Sequence, residues 1–267
     1  MINCSIRKKI AFIGASASPK KWVYIIFFNI LKGNFNGTVY PVNPTRESIL
    51  GVKCYPSVAD IPEPADLAII TTPAPLVRGL IKECGEKGIP NVIVVSSDFS
   101  ETGPEGARLE REVVAAARAH GIRIVGPNTM GVFSAGTDLH ALMVPVMPSH
   151  GAVSMFSQSG NLSAHMLLWG LEEGVGFEKF VGSGNERDLT CVDYLRYFDQ
   201  DKATQVIMAY LEGLEPDTDM YLVDKEVSRK KPVIFFRGGR TSAGGKAAAS
   251  HSGAMAVSNR LSMAAFH

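Results

Sequence analysis

The chain has 267 residues, 46% of them hydrophobic and 20% charged, with 27 basic against 26 acidic side chains and a formal net charge of +1. That length gives one large or two ordinary domains with a sizeable core. Near neutrality leaves no footprint for nucleic acid or an anionic membrane surface, so any anion site must be local.

Short apolar runs rich in β-branched residues alternate with longer amphipathic segments. Strands are expected at residues 9–13, 38–42, 66–71, 91–96 and 123–125, and helices at 21–32, 75–87 and 104–120. The strands read as continuous apolar runs, as in a parallel sheet covered on both faces. A loop-like region from 128 to 150 follows. A second round then predicts strands at 152–156, 177–181, 205–211 and 233–236, with helices at 161–172, 191–198 and 219–229. The pattern is that of two α/β domains with parallel sheets, residues 1–127 and 128–267.

Each half opens with a strand, a turn of small residues and a helix. In the first, Gly14-Ala15-Ser16 is either a phosphate site, with Lys20 nearby, or a plain tight turn. There is no full GxGxxG, and strand two ends Val42-Asn43-Pro44 without the acidic residue a dinucleotide ribose needs, which disfavours an NAD-dependent oxidoreductase. In the second half, Ser157-Gln158-Ser159-Gly160 is either an anion cradle at a helix start or ordinary N-capping by Ser159.

Further on, His251 sits in Ser250-His251-Ser252-Gly253-Ala254 among small residues only. It is either a nucleophilic imidazole on an adaptable loop or a histidine packing at a helix start. A nucleophilic histidine needs an orienting partner, and Glu212 in Tyr210-Leu211-Glu212-Gly213 is the candidate, with Glu215 the local competitor. His120, His140, His150 and His165 read as surface or packed residues. Cys4, Cys54, Cys84 and Cys191 form no CxxC pair, so neither a metal site nor a disulfide framework is expected, and scattered thiols suit a reducing cytoplasm. No signal sequence is visible. The longest apolar run, residues 22–30, falls short of the ~20 residues that span a bilayer, so a soluble protein with no membrane contact is expected.

Taken together, Gly14-Ala15-Ser16, Tyr40-Pro41-Val42-Asn43-Pro44, Gly126-Pro127-Asn128, Ser157-Gln158-Ser159-Gly160, Gly184-Asn185-Glu186, Tyr210-Leu211-Glu212-Gly213 and Ser250-His251-Ser252-Gly253-Ala254 resemble the NDP-forming acyl-CoA synthetases. That family includes the succinyl-CoA synthetase alpha subunit, and the pieces occur in its order along nearly the whole chain. The resemblance implies a Rossmann-like CoA-binding domain followed by a flavodoxin-like ligase domain. Gly14, Ser16 and Lys20 would hold the CoA phosphates, Asn43 and Pro44 would lie near its nucleotide, and Thr72, Pro73 and Ala74 would line the pantetheine path. Asn128 would lie where CoA and the acyl group meet. His251 matches the phosphorylated histidine, Glu212 the glutamate that steadies it, and Ser157, Ser159 and Gly160 the phosphate site.

The implied activity is acid–CoA ligation using ATP or GTP with Mg²⁺, through a phosphohistidine and an acyl phosphate. The nucleotide would be held by an ATP-grasp beta subunit or C-terminal domain, and the acceptor would be a small carboxylic acid. A homo-oligomer is compatible with this. Two positions depart from the family: Thr129 replaces a common cysteine, and Val23 replaces a glycine at the start of the first helix. They leave open a CoA-binding regulatory module without catalysis. The chain stops inside what the family continues as a helix, which implies a fragment.

Overall fold

The computed structural model describes residues 9–213 and 220–238, with only the backbone of Tyr221 and Leu222. His251 and Glu215 lie outside the described residues. The first half runs β1 (Lys9–Ile13), α1 (Trp22–Lys32), β2 (Thr38–Val42), a two-residue hairpin β3 (Ser48–Ile49) and β4 (Val52–Lys53), β5 (Leu67–Ile70), α2 (Ala74–Glu86), β6 (Asn91–Val94), α3 (Pro104–Ala119) and β7 (Arg123–Val125). Its five-stranded sheet has the order β2-β1-β5-β6-β7 and is parallel throughout. The strand order reverses at β1, which opens a crevice beyond the ends of β1 and β5.

The second half holds β8 (Gly131–Ser134), β9 (Leu139–Leu142), β10 (His150–Ser157), α4 (Gly160–Glu172), β11 (Phe177–Gly182), α5 (Cys191–Gln200), β12 (Val206–Leu211), α6 (Met220–Val227) and β13 (Val233–Arg237). The sheet order is β13-β12-β10-β11-β8-β9. Its first four strands are parallel, while β8 runs antiparallel to β11 and pairs with β9 as a hairpin. The expectation of a wholly parallel second sheet is therefore corrected to a mixed one. The hairpin strands are four residues each, begin with Gly131 and carry His140. They lack the long apolar run that marks a covered strand, which is why residues 128–150 read as a loop.

Alternate residues of β1 serve different cores. Ile10 and Phe12 enter one apolar cluster, while Ala11 and Ile13 enter another beneath α2 and α3. The first cluster continues through Phe27 of α1, Leu139 and Ala141 of β9 and Tyr194 of α5 to Phe156 of β10, so both sheets share it. A cavity of about 40 Å³ lies within it, lined by side chains of both sheets such as Leu67, Ile93, Val132 and Val181. Asn29 of α1, nearly fully buried, donates from Nδ2 to the carbonyls of Leu142 and Val144 at 2.9 and 2.8 Å and stitches the first half to the hairpin. Among the described residues no helix is long and apolar enough to cross a membrane.

Candidate functional site

At the carboxyl ends of β1, β2 and β5, backbone and side chains form one connected turn. Gly14 has φ +92°, and its N–H donates to Val42 O at 3.1 Å. A Cβ there would lie 2.7 Å from Thr71 Oγ1 and 3.0 Å from Thr72 Cγ2, so only glycine lets the chain pass. Asn43 Nδ2 donates to Ala15 O (2.8 Å), and its Oδ1 accepts from Thr45 N and Oγ1 (2.9 and 3.0 Å). Its amide thus holds the shape of both loops. Ser16 Oγ accepts from Ser18 N at 3.3 Å.

The N-cap of α1, Lys21, makes no side-chain capping bond; Tyr24 N donates to Lys21 O at 3.0 Å, and the amides of Trp22 and Val23 lie at the positive helix end, where no intrahelical acceptor exists. Lys20, Pro44 and Pro73 are exposed at the rim without polar side-chain contacts to the turn. Thr72 Oγ1 is shut off from solvent with no hydrogen-bond partner among the described residues, and Thr72 O accepts from Ser96 Oγ. A turn that only glycine fits, helix-start amides without a side-chain cap and an orphaned hydroxyl are groups that can receive an anion.

Asn128, with φ +57°, donates its N–H to Ser96 O at 2.9 Å and Nδ2 to Asn185 Oδ1 at 3.3 Å. The loop at 183–186 then joins the two halves. A Cβ on Gly184 would lie 2.1 Å from Pro127 O, Asn185 N donates to Pro127 O at 2.9 Å, and Ser183 N donates to Ser157 O at 2.8 Å. A short chain of hydrogen bonds therefore runs from the first glycine turn to the second.

In the second turn, Ser159 is the N-cap of α4 and its Oγ accepts from Leu162 N at 3.4 Å. Ser157 Oγ accepts from Ser159 N at 3.2 Å and donates to Ser159 O at 2.9 Å. The capping alternative for Ser159 is therefore realised. The amides of Gly160 and Asn161 remain at the helix start, where no intrahelical acceptor exists. A Cβ on Gly160 would meet only Met130 Cβ, at 3.5 Å. Packing does not demand a glycine there; its absent side chain keeps the helix start open.

Gln158 ties this turn to Glu212. Its Oε1 accepts from Glu212 N (2.6 Å) and Gly213 N (3.1 Å), Nε2 donates to Gly213 O (3.1 Å), and its N–H donates to Tyr210 O (3.2 Å). Gly238 packs beside them: its N–H donates to Leu211 O at 2.9 Å, and a Cβ there would lie 2.4 Å from Tyr210 Oη and 3.8 Å from Glu212 Cγ. Burial first, then the charge of Glu212, pushes the Tyr210 phenol up. The structure thus joins Ser157, Ser159, Gly160 and Glu212 at the carboxyl end of the second sheet, and Gly14, Ser16, Asn43, Thr72 and Asn128 at the carboxyl end of the first.

Three residues were not singled out by sequence reasoning. Gln158 appeared only as a motif member, because no spacing rule announces a side chain that brackets a neighbouring strand end. Glu186, with φ +51°, has Oε1 sealed without a hydrogen bond in range, while Oε2 accepts from Cys191 N at 3.1 Å. Removal from water pushes its carboxyl up to about 7, against looser polar contacts from Ser183 and Gln158 that lower it. Arg187 reaches back to Glu110 of α3 with Nε to Oε2 at 2.9 Å, and Asn185 Nδ2 donates to Glu110 Oε1 and Glu101 Oε2, both at 2.8 Å. The two departing positions have packing roles. Val23 points into the shared apolar cluster, and buried Thr129 donates to Gly182 O and accepts from Gly131 N (3.0 Å).

A family model described as "CoA binding domain" matches residues 8–135, and one described as "Succinyl-CoA ligase like flavodoxin domain" matches residues 150–267. The chain is 43% identical over 259 residues to an Acetate–CoA ligase [ADP-forming] I of Archaeoglobus fulgidus, covering 97% of this chain and 38% of that protein. It is 42% identical to the Acetate–CoA ligase [ADP-forming] II subunit alpha of Pyrococcus furiosus, covering 96% of this chain and 56% of that subunit. It superposes with TM-score 0.92 and 40% identity on a dinucleotide-forming acetyl-coenzyme A synthetase 1 of Ca. Korarchaeum cryptofilum solved with phosphate and ADP, covering 97% of this chain and 56% of that one. The chain thus spans about half the length, or less, of these relatives.

Proposed function

The chain belongs to the NDP-forming acyl-CoA synthetase family, and from that membership we propose that it is the CoA-binding and phosphohistidine-carrying part of an acid–CoA ligase. The boundary between its two parts is assigned to residues 127/128, between the end of the first sheet and the opening strand of the second. The observation that carries the reading is the bracket formed by Gln158, which holds the serine turn and the Glu212 strand end as one unit. A phosphoryl group at the amides of Gly160 and Asn161 is stabilised by the helix start, and Glu212 is held beside that turn to accept a hydrogen bond from an imidazole. His251 lies thirteen residues beyond Gly238, which itself packs against Tyr210 and Glu212, so reach imposes no obstacle.

The reaction proceeds in three displacements. An imidazole nitrogen of His251 attacks the terminal phosphorus of ATP or GTP; a P–N bond forms as the bond to the departing nucleoside diphosphate breaks. A carboxylate oxygen of the acid then takes the phosphoryl group, giving an acyl phosphate and neutral imidazole. The CoA thiol, losing its proton, attacks the acyl carbon and inorganic phosphate leaves. A carboxylate oxygen is a poor leaving group and phosphate a good one, which is the reason for the detour. The nucleotide and its Mg²⁺ are assigned to an ATP-grasp subunit or domain. The phosphates of CoA are assigned to the Gly14 turn with Ser16 and Lys20, the nucleotide to Asn43 and Pro44, and the pantetheine arm to Thr72 and Pro73, leading its thiol toward Asn128. Three described cysteines are buried free thiols, in keeping with a cytoplasmic assignment. The non-catalytic alternative leaned on Val23 and Thr129, both of which have packing duties here.

The test combines the chain with an ATP-grasp partner and ATP labelled at its terminal phosphate. Acid-labile label is expected on the chain and none on His251→Ala; label surviving that substitution overturns the assignment. Titration with CoA alone separately tests the first half, and absence of saturable binding counts against it.

A further inference from the structure

Three metal-ligating side chains meet at the end of the second sheet opposite the serine turn. Asp138 closes the β8–β9 turn in the left-handed conformation (φ +52°), His140 follows as the second residue of β9, and His150 opens β10. One ligand atom from each lies within 4.8 Å of the others, and Asp138 Oδ1 is 3.0 Å from His150 Nε2. Both imidazoles flank the ring of Phe133, with centroids 4.8 and 6.2 Å away. Independently, His140 is only 5% exposed, and its Nδ1 is sealed from solvent with no hydrogen-bond partner among the described residues. Buried polar atoms are rarely left so, and a bound ion is one of the standard explanations.

We propose that Asp138, His140 and His150 bind a divalent transition-metal ion of the zinc type, with water completing the shell. Two imidazoles and one carboxylate suit Zn²⁺ and its Irving–Williams neighbours, whereas Ca²⁺ and Mg²⁺ require oxygen donors. Ligand atoms around a tetrahedral ion at about 2.1 Å sit roughly 3.4 Å apart. Asp138 and His150, 42% and 55% exposed, are the side chains with room to turn toward that spacing. His140 is fixed: a Cβ on Gly33, the C-cap of α1, would lie 2.3 Å from its Cδ2. The ion would therefore tie the β8–β9 turn and the start of β10 to an imidazole braced by the first half. Seven residue steps of β10, roughly 23 Å, separate it from Ser157, so its role is structural and outside the phosphoryl path.

The experiment uses the chain stripped with a chelator, then titrated with Zn²⁺ and, as a spectroscopic probe, Co²⁺. One ion per chain is expected, with tetrahedral Co²⁺ bands free of a sulfur charge-transfer band and a rise in Tm. His150→Ala and Asp138→Asn should each weaken affinity more than about tenfold and abolish the Tm rise, while leaving the metal-free Tm close to that of the parent. Absence of saturable binding, binding unchanged in His150→Ala, or a sulfur-to-cobalt band would each overturn the site.

Discussion

Gly14 carries two constraints at once, a φ of +92° and a neighbour 2.7 Å from where its Cβ would be. Gly14→Ala should destabilise the chain by about 1–3 kcal/mol and weaken CoA more than that, because the turn that presents the helix amides must move. Thermal unfolding alongside CoA titration checks both; unchanged affinity would remove the turn from the CoA assignment. Glu186 makes a pH prediction. Its carboxyl is raised from 4.5 to about 7. Below the unfolded value both states are protonated and no penalty exists. As pH rises from 4.5 to about 7 the unfolded chain ionises first, so a penalty of up to about 3 kcal/mol builds and then stays constant. Glu186→Gln keeps an acceptor for Cys191 N and removes the charge, so its stability relative to the parent should grow between pH 4.5 and 8 in denaturant titrations. A difference independent of pH would show that the carboxyl is not held neutral. Glycine and serine at a helix start announce themselves by type and position. Glu186 and Gln158 do not, because a buried carboxyl or a bracketing amide has no sequence pattern until two loops have met.

Among the elements, the parallel strands were the most legible, since a strand covered on both faces must be apolar along its length. β1, β2 and β7 fall where the apolar runs lie, and the helices differ from expectation by a residue or two at their ends. The β8–β9 hairpin was not legible, because a four-residue strand containing a histidine carries too little pattern. Long-range contacts hold it instead, among them the β8–β11 pairing and the bond from Asn29 to Leu142 O. The junction at the 183–188 loop is likewise written in contacts. Arg187 and Asn185 are the partners of Glu110, itself 3% exposed. Arg187→Ala would leave a buried carboxylate with half its support and should cost about 3 kcal/mol. A double-mutant cycle with Glu110→Gln, read by denaturant unfolding, should recover a large share of that loss. Simple additivity would mean that the pair is not coupled.

At the scale of the whole molecule, the two sheets do not have separate interiors. One apolar cluster passes from Phe12 and Phe27 through Leu139 and Ala141 to Tyr194, Leu195 and Phe156, while the far faces of the sheets have clusters of their own. Two α/β halves were readable from the repeated strand–turn–helix device; their shared core was not, because hydrophobic patterning shows that a face is covered but not by what. The consequence is cooperative unfolding. Exposing the first half would also expose the inner face of the second, so neither half should persist alone. The two tryptophans report on different halves, Trp22 on α1 and Trp169 on α4. Unfolding followed through each, in Trp169→Phe and Trp22→Phe variants, should coincide with one another and with circular dichroism. Phe27→Ala should lower that one transition by about 3–5 kcal/mol without splitting it, since it empties space facing both halves. A Trp169 signal that stays in place while the Trp22 signal moves would mean that the halves unfold independently. The route from the Gly14 turn through Asn128 and the 183–186 loop to Gln158 would then be a contact between separable bodies.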